Sequence, residues 1–599
     1  MHQKLLFSLL LCATIFVYTN AGTSLLLKDP IPAISLEHID PTLPPVVLAG
    51  ETPRCSVLVL QQDFADTFGS PPAASNYTLP AECPFPWTRV ILELSVFATD
   101  LQHDRVAAIW VGGAEVLRTA TPRPMAPGAF WRVQKDVTRY SALFHSLSNG
   151  GSGVISMMLE NSNVALPGVY SANVSLHFYR GSTHSVQSQP LLAYTSHPTI
   201  KGLYREPADL ILPVSNPDGY YESGFWFRID NDSAPGSKSI TIPPNTYRAV
   251  LEIFVSYHGD DELWYTNPLR SSYLQQSPAV SFSTPRANGA FRQVYATLDG
   301  RFLGGHVPYA VIYPGAINPY FWSPVAAIGA FDMPSYDLDL TPFLGLMLDG
   351  APHNIGLSVR DAQSFWLLTA NLHLWTDPWS DHVHAGLLEY FAPAIKMNRN
   401  AEWRDRDGQS EIDAEGLVRF TGWVSSSKGN LTTQVRQKIK FKSQVEVQNR
   451  GTLTQIEVQN KERMMVAIQQ GHQVLRRVQM LAEAPLQLQT SAAAAAGGTA
   501  EFRKARLYHQ LVEAMSISEG QVVETSTLTD RQDAEGTELV RGGAGHGGGE
   551  EMVVWGSGST RSAYRYKDGS RCYLRTMNAA GGVVVMDTKT ASCAAVAEA

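Results

Sequence analysis

The chain is poor in charge and has no block of one sign. Asp, Glu, Lys and Arg make up 17% of its 599 residues, and 47 basic against 55 acidic side chains leave a formal net charge of −8. With no Lys/Arg-rich stretch to neutralise phosphates, nucleic acid is excluded as a partner. Long apolar runs are also scarce. The one at the start, Leu5–Val17, falls short of the roughly 20 residues a spanning helix needs. With Lys4 before it and Thr19-Asn20-Ala21 after it, it reads as a secretory signal over residues 1–21, so no stable membrane association is expected after cleavage. Of only five cysteines, Cys12 falls in that signal. Cys55 with Cys83 and Cys572 with Cys593 remain as an even set for an oxidising compartment, and neither spacing has the Cys-x-x-Cys form of a zinc or redox site. Two disulfides are expected, and no metal or cofactor. A nucleophile elbow, a phosphate loop and a His-Glu-x-x-His pattern are absent, which removes the usual warrant for serine hydrolase, nucleotide and zincin chemistry. His382-Val-His384 has no third ligand nearby and reads as surface loop.

Aromatic residues are plentiful, at 10% of the chain with 12 Trp and 23 Tyr. Short β-branched or alternating runs such as Arg89–Phe97, Val106–Val111, Gly153–Glu160 and Tyr170–Tyr179 are separated by Gly, Pro, Asn and Asp, the grammar of an all-β sandwich. The one short helix is expected near Asp136–Phe144. The grammar repeats from about Leu203 to Asp377. Tyr247–Ser256 answers the run at 89–97, and Asp337-Leu-Asp-Leu-Thr-Pro-Phe answers Lys135-Asp-Val-Thr-Arg-Tyr. Two tandem jelly-roll-like sandwiches are the simplest account, with boundaries at 22–198 and 199–380. Beyond Trp379, by which nine of the twelve Trp have passed, a more polar β-rich domain over 381–599 is expected. Lys438–Gln448 alternates as a strand with one wet face. Ser491–Gly498 and the Gly-rich stretch at 542–549 read as flexible loops. Asn76, Asn173, Asn231 and Asn430 begin Asn-x-Ser/Thr sequons open to glycosylation in a secreted chain.

The residues with chemical interest are carboxylates beside strands and aromatics. Asp104-Arg105 immediately precedes the strand at Val106, so the acid stands at a sandwich rim with a cation next to it. Glu160 ends the strand at Gly153–Leu159. His258-Gly-Asp-Asp-Glu-Leu-Trp sets Asp260, Asp261 and Glu262 after a strand and near Trp264. Trp110, Trp264 and Trp322, with Asp261, are candidate sugar-binding residues, and core packing is the competing role for the indoles.

The blocks Gly128-Ala-Phe-Trp-Arg-Val-Gln-Lys-Asp-Val-Thr-Arg-Tyr, His258-Gly-Asp-Asp-Glu-Leu-Trp-Tyr-Thr-Asn-Pro, Gly315-Ala-Ile-Asn-Pro-Tyr-Phe-Trp and Ile328-Gly-Ala-Phe-Asp-Met-Pro-Ser-Tyr-Asp-Leu-Asp-Leu-Thr-Pro resemble the plant and fungal peptide-N-glycanase A family. The resemblance is dense over residues 50–380 and looser beyond. It implies hydrolysis of the amide joining an N-linked glycan to asparagine, giving aspartate and a glycosylamine, with N-glycopeptides or glycoproteins as partners and no cofactor. A more distant similarity to the bacterial two-jelly-roll peptide-N-glycanase implies Asp104, Glu160 and Glu262 as catalytic acids, with Arg105 placed to stabilise an oxyanion. It leaves the choice among Asp260, Asp261 and Glu262 open. The chain departs from that enzyme between Trp322 and Met333, where it has no basic residue. The competing functions are a secreted glycosidase and a non-catalytic N-glycan-binding protein. Entry to the secretory pathway implies an extracellular or vacuole/lysosome-like destination.

Overall fold

Thr246–Tyr257 buries nearly every side chain because it lies inside a five-stranded sheet covered on both faces, whereas Arg89–Ala98, central in the other five-stranded sheet, buries one face fully and leaves Glu93, Ser95 and Phe97 partly or wholly open on the other. The computed structural model describes residues 36–44, 52–148, 153–180, 207–221, 224–230, 234–269, 288–495, 500–541, 552–569 and 571–591. The expected signal at 1–21, Asn231, Cys593 and the Gly-rich 542–549 lie outside them.

In the first sandwich the larger sheet runs Phe130–Asp136, Arg89–Ala98, Tyr170–Tyr179, Cys55–Phe64, with Glu37–His38 added beside Phe130–Asp136. Facing it is a four-stranded sheet in the order Ala73–Tyr77, Gly153–Leu159, Val106–Val111, Ala114–Ala120. The second sandwich repeats both orders strand for strand. Its larger sheet runs Ser335–Asp339, Thr246–Tyr257, Trp366–Thr376, Leu210–Val214, and its four-stranded sheet Gly236–Ile240, His353–Arg360, Gln293–Leu298, Arg301–His306. These are jelly-roll orders. The duplicated Asp-x-Thr signature has a mechanical cause. Asp136 accepts the backbone N–H of Thr138 at 2.9 Å, Asp339 accepts that of Thr341 at 2.9 Å, and each Thr hydroxyl then accepts a backbone N–H from the neighbouring central strand, Val90 or Ala249. Both caps start a 3-10 turn, Thr138–Tyr140 and Thr341–Leu346, and the first continues as the helix Ser141–Ser148.

The two sandwiches meet across buried charge. Arg118 and Glu115 form a bidentate pair with 0% exposure on both sides, and Arg118 also donates to Ser256 Oγ at 3.2 Å and to the Leu367 carbonyl. Arg139 reaches Glu252 at 3.0 Å and Asp337 at 3.2 Å, while Tyr140, Ser335 and His373 complete the shell of Glu252. Burial opposes ionisation of Glu252, but Arg139 and His373 hold its carboxyl well below the usual range.

From His384 the chain forms an eleven-stranded antiparallel sheet with strands as long as Gln473–Ala494, 22 residues. Ser491–Ala494, expected as loop, instead ends that strand. The backbone there pairs with Glu501–Lys504, and small side chains do not prevent it. Gly429–Gln448 alternates as expected, with Ile439, Phe441 and Val445 buried. The inner face of the sheet packs on the segment 306–346 of the second sandwich. His306 pairs with Glu462 at 2.8 Å, Tyr309 stacks on His509, Gln532 bonds both Ile328 N–H and the Ala326 carbonyl, and Thr560 donates to the Phe321 carbonyl.

Cys55 and Cys83 are bridged, with Cα atoms 5.7 Å apart, tying the start of one strand to the turn before Trp87. Cys572 is also disulfide-bonded. Closing a loop of 28 residues, the Cys55–Cys83 bridge is worth about 3 kcal/mol by loop-closure entropy. The double variant Cys55→Ser/Cys83→Ser is expected to lose about that much in denaturant unfolding, with the jelly-roll circular dichroism retained at low denaturant.

Candidate active site

Asp104 sits on a loop between the strands Arg89–Ala98 and Val106–Val111, and that loop is pinned from three sides. Gln102, 1% exposed, donates to the carbonyls of Ser162, Leu166 and Gly168, and its own carbonyl oxygen accepts the N–H of His103. Tyr170 donates to the His103 carbonyl at 2.6 Å, and Thr121 accepts the Arg105 N–H at 2.9 Å. The carboxylate is half-buried at the rim, and next to it the Arg105 Nε is buried without a hydrogen-bond partner.

The second sandwich supplies the facing wall. A Cβ placed on Gly315 would lie 2.0 Å from Asp104 Oδ1, so no other residue allows the loop to approach so closely. Ile317, two residues on, is held at φ 66°, a strained conformation for a β-branched residue, between buried neighbours. Glu262 follows the 3-10 turn Gly259–Asp261 and shares the space with Tyr265, Tyr313 and Asp104. Burial first, and the Asp104 charge second, push its carboxyl up to about 7. Folding therefore favours protonated Glu262. Its contribution is fully present below the ordinary carboxyl range and is lost as pH rises toward about 7.

The adjacent acid has the opposite fate. Asp261 is 0% exposed and takes Arg292 through two bonds, 2.7 and 3.2 Å, with Gln363 N–H at 2.8 Å and Trp366 Nε1 at 2.7 Å. Burial opposes its charge, but Arg292 holds its carboxyl below the usual range. It is a structural pin rather than the expected sugar-binding acid. Asp260 is half-buried on the same turn.

The three indoles are likewise corrected to core. Trp110 packs on Phe225 and Trp226, Trp264 packs among Tyr257, Tyr265 and Trp366, and Trp322 lies against Phe321 and donates to the Ala316 carbonyl. Each is at most 2% exposed, which leaves no ring face for a sugar. Glu160 lies where its strand passes Val106, since Leu159 pairs with Ala107, and one of its oxygens accepts Gly69 N–H at 3.1 Å. Asp104, with Arg105 next to it in sequence, thus lies near enough for its charge to act on Glu262, while Glu160 is tied to a turn on the rim of the same sandwich as Asp104.

Sequence reasoning missed Gln102, Tyr313, Gly315 and His258. His258 is a neutral imidazole, pushed down to about 3 by burial and by Arg118 and Arg228, and it stacks on Phe365. The signal for Gly315 was present in the block Gly315-Ala-Ile-Asn-Pro. That for Gln102 was not, because its three acceptors lie some sixty residues away.

A double jelly roll carrying paired acids at the seam between its sandwiches is the class these features define. Residues 44–393 match the family described as peptide N-acetyl-β-D-glucosaminyl asparaginase amidase A, and the chain belongs to that family. It is 32% identical over 574 residues to the peptide-N4-(N-acetyl-β-glucosaminyl)asparagine amidase A of Prunus dulcis, covering 95% of this chain and 94% of that protein. Among solved structures, PNGase F of Flavobacterium meningosepticum aligns with 54% of this chain and 96% of its own at 15% identity and a TM-score of 0.33. PNGF-II aligns with 54% of this chain and 66% of its own at 12% identity and a TM-score of 0.34.

Asp261→Asn leaves the Arg292 guanidinium buried and uncompensated, a loss of about 3–5 kcal/mol. It is expected to lower the unfolding midpoint sharply in a denaturant titration, whereas Glu262→Gln, which removes no ion pair, leaves it within about 1 kcal/mol.

Proposed function

We propose that the chain hydrolyses the amide between an N-linked glycan and asparagine in glycopeptides or glycoproteins, with Asp104 and Glu262 as base and acid. The observation that carries this is the facing pair itself. The half-buried Asp104 of one sandwich acts by its charge on the buried Glu262 of the other, which stays protonated up to about 7. Amide hydrolysis needs both forms. Ionised Asp104 takes a proton from water as the oxygen attacks the asparagine side-chain carbonyl. Arg105 offers its unpartnered Nε–H to the oxyanion that forms. Protonated Glu262 then gives its proton to the leaving nitrogen, so the C–N bond breaks to aspartate and a glycosylamine. Glu160, with one oxygen on Gly69, is assigned to hold substrate at the rim with the other.

In the same reading residues 1–21 are a leader, 22–198 and 199–380 the two sandwiches, and 381–599 the module of the large sheet. A secretory route to an extracellular or vacuole-like compartment is supported by the Cys55–Cys83 bridge and by sequon residues Asn76, Asn173 and Asn430, all exposed. Among the described residues no helix is long and apolar enough to cross a membrane.

The test is mass spectrometry of a defined N-glycopeptide incubated with the protein in heavy-oxygen water. Glycan release with asparagine becoming labelled aspartate is expected, and trimmed sugar left on intact asparagine overturns the reading. Asp104→Asn is expected to lose at least 10³-fold in kcat with an unchanged unfolding midpoint.

The pH profile follows from Glu262. Its acid form is present below about 7, so kcat/KM is expected to fall as pH rises through that value. In Glu262→Gln this limb disappears and kcat drops by about 10²-fold. A variant that keeps the limb removes Glu262 from the acid role.

A further inference from the structure

Beside the Asp104 loop, two complementary groups from different modules lack hydrogen bonds among the described residues: the Arg123 side chain and Glu538 Oε1. Arg123 stands on the segment Thr121-Pro122-Arg123-Pro124, whose prolines are buried and whose ends are bonded to Arg105 and Gln102. The proline rings preset the backbone on either side of the cation. Among the described residues the Arg123 side chain makes no ion pair or hydrogen bond. Its charge nevertheless acts on His103 and Tyr170, beside Asp104, and on Tyr320 and Glu538 on the other side.

Glu538 belongs to the strand Val522–Arg541 of the large sheet and is 8% exposed, with Oε1 buried and lacking a hydrogen-bond partner. Across the ladder from it stand Arg503, whose charge acts on it ahead of that of Arg123, on one side and Gly556 on the other, where a Cβ would lie 1.9 Å from the Tyr320 ring. The half-buried Tyr320 therefore rests on the sheet immediately beside Glu538, and Arg123 lies near enough for its charge to act on both. A buried carboxyl oxygen and a part-buried guanidinium without hydrogen bonds are costly to fold. Together they make an acceptor, a fork of donors and an aromatic face around one space, which matches a pyranose ring with adjacent hydroxyls and an apolar face.

We propose that Arg123, Tyr320 and Glu538 form a carbohydrate subsite that holds the glycan portion of the substrate, so that the large sheet takes part in recognition; this rests on the amidase reading above. Glu538 accepts from sugar hydroxyls, Arg123 donates to hydroxyl or acetamido oxygens, and Tyr320 covers the ring.

The test compares Glu538→Gln and Arg123→Gln on three glycopeptides. Two share one peptide but carry either a multi-sugar core or a single asparagine-linked sugar, and the third carries the core on a shortened peptide. Loss of a hydrogen bond to a charged group is expected to raise KM about tenfold on both core-bearing substrates, with kcat within about twofold, and the effect shrinks to under twofold on the single sugar. The same ordering is expected for Kd, measured by calorimetry in the inactive Asp104→Asn background, which reads the subsite separately from turnover. The two substitutions lie in different modules, so misfolding of one, seen by circular dichroism, leaves the other to decide. Equal losses on core and single-sugar substrates, a loss that follows peptide length, or no loss in either variant overturns the subsite. Wild-type failure to release any glycan, with the Kd ordering intact, overturns the amidase reading and leaves the subsite standing.

Discussion

The site depends on the ionic seam between the sandwiches. Asp104 belongs to one jelly roll and Glu262 to the other, so their mutual approach is only as well defined as the packing of the two modules. Apolar faces alone permit sliding, whereas the seam carries Glu115, Arg118, Arg139, Glu252 and Asp337 in directional bonds. Buried ion pairs seldom add much stability against a hydrophobic alternative, since desolvation consumes most of the Coulombic gain. What this set supplies is register. A shift of one sandwich against the other by one residue would strand several buried charges at once, each at a cost of several kcal/mol.

The large sheet works on the same geometry from behind. Its inner face holds the segment 306–346 through His306–Glu462, Tyr309–His509 and the two bonds of Gln532. That segment carries Gly315 against Asp104 and keeps Ile317 in its strained conformation. A backbone strained by a few kcal/mol persists only where surrounding contacts over-determine it. The sheet supplies those contacts, which gives the polar third module a structural task at the wall facing Asp104.

Much of the fold was legible because its causes are local. Alternation, turn residues and the repeated Asp-x-Thr cap are read within ten residues, and they yielded the two sandwiches, the short helix after Asp136 and the Cys55–Cys83 bridge. The sheet's extent was less visible. Its polar outer face resembles loop composition, and at Ser491–Ala494 low complexity concealed a strand whose backbone pairing needs no particular side chain. Site residues divided along the same line. Asp104 stood out through Arg105 and the strand after it, whereas sequence could not choose among Asp260, Asp261 and Glu262, since all three share one turn beside Trp264. The fate of Trp110, Trp264 and Trp322 depended on which ring faces the tertiary structure covers, and no local pattern encodes that.

Asp261 and Glu262 show most directly why adjacent acids with similar intrinsic acidity do different work. The turn Gly259–Asp261 sends successive side chains to different sides. One meets Arg292, two backbone N–H groups and an indole N–H, which together stabilise the anion more than burial disfavours it. The other meets Tyr265, Tyr313 and the like charge of Asp104, so burial acts with its neighbour rather than against it. The first becomes a fixed anion that anchors the turn. The second is a carboxyl pushed up to about 7, buried on a turn that its neighbour anchors.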